Sequence, residues 1–172
     1  MLVLEQGPSE WPDASVLDLR RLPISDGERY VTQHRESSGL PVVRGRGLGG
    51  SSAVNGAYFM RFHRDDFDAW QGPWTPDVID KAYAEVDEKM GVHPFPDADL
   101  APTALAFEKY WGETYSTRQL DDPWPLVGVN RVRSNSVVGI RRTAADAYLR
   151  PHLNRPNLRV RTGVKVERVL LA

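Results

Sequence analysis

One glycine-rich segment, residues 44–56, holds residue types suited to binding a bulky anion. It reads Arg-Gly-Arg-Gly-Leu-Gly-Gly-Ser-Ser-Ala-Val-Asn-Gly. Glycine has no Cβ, so it can adopt positive φ and let a ligand approach the backbone closely. The glycines concerned are Gly47, Gly49, Gly50 and Gly56. If the chain turns helical near Ser51, free N–H groups face the anion as well. The segment predicts a phosphate-binding loop, with a flexible surface loop as the alternative.

Other kinds of site chemistry find little support in the residue spacing. The run Asp65-Asp66-Asp68 lacks the closing glutamate of a calcium loop, and Ser51-Ser52 lie outside any G-x-S-x-G elbow. The histidines have no partner at metal-ligand spacing. They are His34, His63, His93 and His152. We therefore predict no metal site, and His63 or His93 serves as a base only if folding brings it to a pocket.

The composition is that of an ordinary globular chain. Its 172 residues are 41% hydrophobic and 26% charged, with a net charge of −1. This charge argues against binding to nucleic acid or to anionic lipid. The absence of cysteine excludes disulfides and thiolate metal sites. No apolar run approaches the ~18 residues of a membrane span, which predicts no transmembrane segment. The absence of cysteine is compatible with a reducing cytoplasm, which is the location we predict.

Periodicity and capping residues predict where the chain forms helices and strands. The clearest pattern is a helix over Pro76–Met90, capped by Thr75 and ended by Gly91. Gly45–Gly56 leads into a helical turn through Met60. Further helices are predicted over Arg64–Trp70, Leu105–Tyr115 and Thr143–Leu153, strands over Met1–Leu4 (buried), Leu158–Arg161 and Val164–Leu171, and an extended loop over 8–40.

The glycine-rich segment also resembles a family signature. Gly45–Gly56, followed by Tyr58-Phe59 and Asp66–Trp70, resembles the first signature of the glucose–methanol–choline (GMC) oxidoreductases. Members of this family are FAD-dependent alcohol oxidases and dehydrogenases. In them this stretch lies along the FAD pyrophosphate and reaches the flavin ring, which is the role the resemblance implies here.

Two further stretches match the family in the family's order. Leu2–Pro8 resembles the end of the second Rossmann strand, where an acidic residue, here Glu5, binds the adenosine ribose. The stretches Arg141–Leu149, Arg155–Val160 and Thr162–Val166 resemble the approach to another strand of the FAD domain, in which the residue matching Val166 touches the adenine. The implied cofactor-binding residues are Glu5, Arg46, Gly47, Leu48, Gly49, Gly50, Ser51, Ser52, Asn55, Gly56, Ala57 and Val166.

The resemblance implies an α/β fold, namely a partial Rossmann-type FAD-binding domain with a helical insertion, truncated at both ends. We expect one domain over 1–172, made of the end of the second Rossmann strand (1–7), an extended loop (8–40), the FAD pyrophosphate and flavin segment (41–70), the helical insertion (71–135) and a return to the sheet (136–172). Relatives carry an earlier G-x-G-x-x-G turn and a later catalytic histidine. We therefore expect an internal fragment that is inactive alone, with no catalytic residue; a mis-called start codon is the alternative for the front end.

Val54 bears on how the flavin is attached. In members similar to choline oxidase, a histidine directly before the asparagine bonds covalently to the flavin. Val54 occupies that position here and has no nucleophile, so the resemblance implies non-covalent FAD. The cofactor carries the hydride chemistry and the protein orients it.

The implied function is oxidation of a CH–OH donor by hydride transfer to FAD. The stretches Asn55–Phe59, Asp66–Trp70, Trp124-Pro125 and Asn130–Asn135 resemble the family branch associated with mycofactocin, a peptide-derived redox carrier. An ordinary choline or alcohol dehydrogenase is the alternative. The substrate is then a small-molecule alcohol or a redox carrier; the electron acceptor stays open and would account for any membrane association. A non-catalytic nucleotide-binding module and a decayed remnant are further alternatives.

Overall fold

The computed structural model describes residues 1–21, 29–115, 122–124 and 126–170. The described residues form the strands β1 (Leu2–Leu4), β2 (Val31–Arg35), β3 (Pro41–Gly45), β4 (Tyr58–Phe59), β5 (His93–Pro94), β6 (Arg133–Ser134), β7 (Ser136–Val137), β8 (Ile140–Arg141) and β9 (Arg159–Arg161), and the helices α1 (Ala14–Leu17), α2 (Pro76–Met90) and α3 (Pro102–Gly112). Short 3-10 helices span Leu19–Arg21, Gly50–Ala53, Arg64–Phe67, Asp97–Asp99 and Arg150–His152, and a π-helical turn spans Ala145–Leu149. No helix in these ranges is long and apolar enough to cross a membrane.

The chain divides into two compact units, and the first combines its two ends, Met1–Ala57 and Gly139–Ala172. Strand β1 pairs in parallel with β9, with Val3 opposite Val160. Parallel neighbours need a long crossover connection, and parallel pairing of this kind occurs in Rossmann-type sheets. Strands β2 and β3 form an antiparallel hairpin. The buried apolar side chains of this unit are Val16, Leu17, Tyr30, Leu48, Ala53, Ala57 and Ala145.

The second unit, Tyr58–Val138, packs helices with a small antiparallel sheet in the order β4-β6-β5. Helix α2 matches its prediction residue for residue. Thr75 Oγ1 accepts a hydrogen bond from Val78 N, and Gly91 ends the helix in the left-handed region at φ 66°. Ile79 and Met90 are the buried side chains of α2. An aromatic cluster includes Phe67 and Trp70, whose ring centroids lie 4.9 Å apart.

Several predicted helices are shorter or displaced. Helix α3 begins at Pro102, because proline suits a first helical position, and ends at Gly112 rather than at Tyr115. The helix predicted over Arg64–Trp70 is a 3-10 helix that ends at Phe67. The turn predicted to run through Met60 ends at Ala53, because Val54 leaves the helical region at φ −126° and ψ −2°. Thr143–Leu153 forms the π-helical turn and a 3-10 helix instead of an α-helix.

Three predictions about extended chain were wrong. The supposed loop 8–40 contains α1, where the Asp13 side chain accepts a hydrogen bond from Ser15 N, and β2, which pairs with β3. Strand β1 is not buried: Leu2 and Leu4 are exposed, since β9 is its partner and no layer covers them within the described chain. Residues 164–170 form no strand, and Leu171 lies outside the described residues.

Candidate functional site

The glycine-rich segment begins in the last two residues of β3 and belongs to the first unit. Gly47, Gly49 and Gly50 all have positive φ, at 121°, 99° and 52°. This is the left-handed region that glycine adopts without a steric penalty. The predicted helical turn near Ser51 is confirmed as the 3-10 helix Gly50–Ala53. Ser51 Oγ accepts a hydrogen bond from Gly45 N at 3.1 Å, which closes the segment on itself.

Glu5, at the end of β1, fixes the front of this segment. Its Oε1 accepts hydrogen bonds from Gly47 N at 2.9 Å and Gly7 N at 2.7 Å. A Cβ on Gly7 would lie 2.3 Å from Gly47 N, so the two backbones touch with no room for a side chain. Within the described chain, Oε2 of Glu5 takes part in no hydrogen bond. One carboxylate oxygen thus holds the loop, and the other is available to a ligand.

Residues 143–144, far along the chain, support the rear of the segment. Ser52 Oγ accepts a hydrogen bond from Ala144 N at 2.8 Å and donates one to Gly49 O at 2.5 Å. A Cβ on Gly49 would lie 2.9 Å from Thr143 Cβ. Thr143 is fully buried, and its hydroxyl donates to Asp146 Oδ2 at 2.7 Å. Gly49 is therefore required by packing against protein atoms at its rear.

The segment ends in a tight turn at Asn55–Ala57. Asn55 Oδ1 accepts a hydrogen bond from Ala57 N at 2.9 Å, an Asx turn, and Ala57 is buried despite its positive φ. The backbone oxygen of Asn55 accepts a hydrogen bond at 2.6 Å from the guanidinium of Arg141. A side chain on β8 thus fixes the end of the glycine-rich segment.

Gly50 lies on the open side of the segment. A Cβ built on Gly50 would meet no described atom within 4 Å, whereas one on Gly45 would lie 2.3 Å from Gly50 O. Ser51 and Asn55 on the same segment are exposed. The segment is therefore packed at its front and rear and accessible around Gly50, which is the geometry that a loop binding a ligand through its backbone needs.

The structure brings most of the predicted site residues together in the first unit. Glu5 and the stretch from Arg46 to Ala57 are joined by the contacts above. Arg46 uses its side chain on Gln6 O at 3.3 Å, and Leu48 is buried in the core. Val166 is 55% exposed and lies two residues beyond Val164, whose N donates to Glu5 O at 2.9 Å.

Sequence reasoning assigned no site role to Arg141 or Thr143. The hydrogen bonds of Arg141 to Asn55 and of Ala144 to Ser52 cross 86 and 92 residues of chain. No local spacing points to such pairs. The described residues contain no cluster of histidine, aspartate and glutamate able to hold a metal ion. The ring nitrogens Nδ1 of His63 and His93 make local contacts, with Asp65 N and with Gly91 O.

Comparison with known proteins identifies the family. The family model described as GMC oxidoreductase matches residues 30–172, and the chain therefore belongs to the GMC oxidoreductases. It is 34% identical, over all of its own length and 39% of the relative, to an uncharacterized GMC-type oxidoreductase of Rhodococcus erythropolis. It is 30% identical to an oxygen-dependent choline dehydrogenase of Photobacterium profundum, across 99% of this chain and 34% of that protein.

A solved structure supports the same family and the predicted α/β fold class. The crystal structure of pyridoxine 4-oxidase from Mesorbium loti matches with a TM-score of 0.75 and 26% identity, over 94% of this chain and 37% of that one. The resemblance to GMC oxidoreductases and the α/β fold are thus confirmed. The chain spans a little over a third of the length of these relatives, so activity and substrate belong to a proposal.

Proposed function

We propose that this chain forms part of the FAD-binding region of a GMC-family oxidoreductase that acts on CH–OH donors. The observation that carries the proposal is the glycine-rich segment. It is packed at its front and rear by Glu5 and Thr143 and left open at Gly50. A dinucleotide pyrophosphate needs this combination of a fixed backbone and an approach without side chains.

The residues present fit FAD. Glu5 directly follows β1, a strand of a parallel pair. Its Oε1 holds the loop, and its Oε2 can accept hydrogen bonds from the ribose hydroxyls. Ser51, Ser52, Asn55 and Gly56 line the same segment, and we assign them with Arg46, Gly47, Leu48, Gly49, Gly50 and Ala57 to cofactor binding or to its backbone support. Val166 is assigned to the adenine through the family resemblance.

When bound, FAD would supply a hydride acceptor for oxidation of the alcohol. The chain's own residues bind and orient: Glu5 accepts hydrogen bonds, and the missing side chain at Gly50 lets the pyrophosphate approach the backbone of the segment. Val54 has no nucleophile, so we propose non-covalent attachment. Acid denaturation of the loaded protein should then release all of its flavin, and flavin absorbance that stays with the precipitate would contradict this attachment.

The substrate is proposed to be a small-molecule alcohol or a redox carrier. The pattern of Asn55–Phe59 and Asp66–Trp70 supports the mycofactocin-associated branch, and the choline dehydrogenase and pyridoxine oxidase among the relatives support an ordinary alcohol substrate. Flavin bleaching in the purified, FAD-loaded protein separates the two substrate classes. The flavin of a carrier-linked enzyme should bleach with reduced mycofactocin and not with choline. A cytoplasmic location, with membrane contact through an electron acceptor, is part of this proposal.

Substitution of Gly50 tests the FAD proposal. Gly50→Ala places a methyl group on the open side of the segment, so FAD affinity should fall by about tenfold or more. Gly39→Ala is the matched control, because Gly39 also has positive φ, at 84°, and an equally open Cβ position, but lies in the β2–β3 turn. Both variants place alanine at a positive φ. Equal FAD affinity of the two variants, measured by fluorescence titration, would reject a ligand at Gly50.

Gly49 is a poorer test of the same idea. Its Cβ position is occupied by Thr143, so Gly49→Val would disturb the protein's own packing before it met any phosphate. Loss of FAD in that variant would accompany loss of stability. Gly50 separates the two effects, which is why it replaces Gly49 in the experiment.

A further inference from the structure

Arg141 is a buried cation. Its side chain is 1% exposed, and it is the largest of the fully buried side chains in the described residues. The guanidinium donates to two backbone carbonyls, Asn55 O at 2.6 Å and Val16 O. Its Nε has no hydrogen-bond partner in the described structure. Because both partners are neutral carbonyls, no opposite charge pairs directly with this buried guanidinium.

Asp18 is the acidic residue that acts on this charge, and it is already engaged. Its Oδ1 accepts from Arg20 Nε and its Oδ2 from Arg20 NH2, both at 2.8 Å. Burial lowers the pKa of Arg141, and the charge of Asp18 opposes that shift. Arginine still stays protonated at neutral pH, because its ordinary pKa lies so far above 7. The interior of the first unit therefore holds a fixed positive charge.

The position of this charge relates it to the glycine-rich segment. Arg141 binds the carbonyl of Asn55, five residues after the open position at Gly50. A charge in the protein interior is poorly screened and acts over several ångströms on a neighbouring ion. An anion bound to this segment would gain from this field, because the hydrogen bond to Asn55 joins the guanidinium directly to the segment.

We propose that Arg141 is a positioning residue whose buried positive charge selects an anion on the glycine-rich segment, namely the pyrophosphate of a nucleotide cofactor. It acts through the protein, by its charge, without touching the ligand. This inference rests on the proposed function, because it takes the glycine-rich segment as the place where the pyrophosphate binds.

The experiment compares ADP with adenosine as ligands of the 172-residue chain. The two ligands share the nucleoside and differ in the pyrophosphate, so the ratio of their affinities reports the electrostatic contribution. A merely structural role for Arg141, such as holding Asn55, would lower the ratio in Arg141→Lys as well, although lysine keeps the charge. In Arg141→Gln, which removes the charge, we expect the ADP-to-adenosine affinity ratio to fall by about tenfold. Isothermal titration calorimetry gives both affinities.

Two other variants separate charge from packing. Arg141→Lys keeps the charge and loses the planar fork, so it should lower thermal stability but keep the ratio near that of the wild type. Asp18→Asn removes the opposing carboxylate, so it should raise the ratio. If circular dichroism shows Arg141→Gln to be unfolded, these two variants carry the test, and a ratio that falls in Arg141→Lys or fails to rise in Asp18→Asn overturns the inference.

The outcomes distinguish this inference from the proposed function. If the wild type binds ADP more tightly than adenosine and folded Arg141→Gln keeps that ratio, the role of Arg141 is wrong while the FAD proposal stands. If the wild type binds neither FAD nor ADP, the proposed function itself fails, and the inference fails with it.

Discussion

Helix α2 and the glycine-rich segment are ordered by opposite means. Helix α2 takes its start and its stop from neighbours in sequence, Thr75 and Gly91. The glycine-rich segment takes its shape from Glu5 and from residues 141–144, which lie far away along the chain. A helix satisfies its own backbone groups, whereas an irregular loop must find partners elsewhere. The segment proposed to bind a ligand therefore depends more than α2 does on residues that are distant in the chain.

This difference predicts how the two regions respond to substitution. A changed cap in α2 removes one hydrogen bond at the end of an otherwise intact helix. A changed contact at the glycine-rich segment displaces backbone that several strands hold together. We therefore expect substitutions at the loop to cost more stability than those at the helix ends, and the following experiments test that order.

Gly7→Ala should have the largest effect. The new methyl group would lie 2.3 Å from Gly47 N, a backbone atom that cannot rotate away, so β1 and the loop must separate. We expect a loss of about 3 kcal/mol or more in the free energy of unfolding, measured by urea denaturation. Gly39→Ala, whose Cβ position is open, should lose about 1 kcal/mol. Equal losses in the two variants would contradict the close backbone contact.

Glu5→Ala should have the next largest effect. It removes the acceptor of two backbone N–H groups and should cost about 1–3 kcal/mol of stability, with a similar loss in FAD affinity. Glu5→Gln keeps an oxygen acceptor, so it should retain more stability than the alanine variant. Hydrogen exchange at the Gly47 amide measures directly whether its hydrogen bond to Glu5 protects it. Unchanged protection in Glu5→Ala would show that Glu5 does not hold the loop.

Thr75→Ala tests the helix side of the comparison. The Thr75 hydroxyl oxygen lies 3.4 Å from Val78 N, a long hydrogen bond, so its loss should cost about 0.5–1 kcal/mol. Thr75→Ser keeps the cap and is the control. The measurement is again urea denaturation. A cost as large as that of Gly7→Ala would show that α2 is no more independent of its surroundings than the loop.

Asp18 should give the smallest effect, seen as a change with pH. Hydrogen bonds from Arg20 lower the pKa of Asp18 from its usual 3.8 to about 2. The ionised carboxylate therefore stabilises the folded protein fully above about pH 5, and this contribution is lost as the pH falls toward 2. Asp18→Asn should make the melting temperature less dependent on pH in that window. An unchanged pH profile would mean that the pair with Arg20 adds nothing to stability.

Sequence patterns predicted the elements that carry their own signals. The helix Pro76–Met90 was predicted with its bounds, because a capping threonine, an N-terminal proline and a terminal glycine act locally. The prediction of a loop over 8–40 was wrong because β2 forms through its pairing with β3. The prediction of a strand over 164–170 was wrong because apolar residues form no strand without a partner strand. The family signature still identified the GMC oxidoreductases correctly.

By itself the sequence determined the family, the position of the glycine-rich segment and the residue types at its surface. The family follows from the resemblance of that segment to a known signature, and its suitability for a ligand follows from the chemistry of single residues, such as the missing Cβ of Gly50. Only the tertiary structure decided which glycine faces open space and which faces Thr143, and that Glu5 holds Gly47. It also decided that Arg141 is buried beneath Asn55. The physical reason is that such contacts join residues distant in the chain, and no local pattern encodes their meeting.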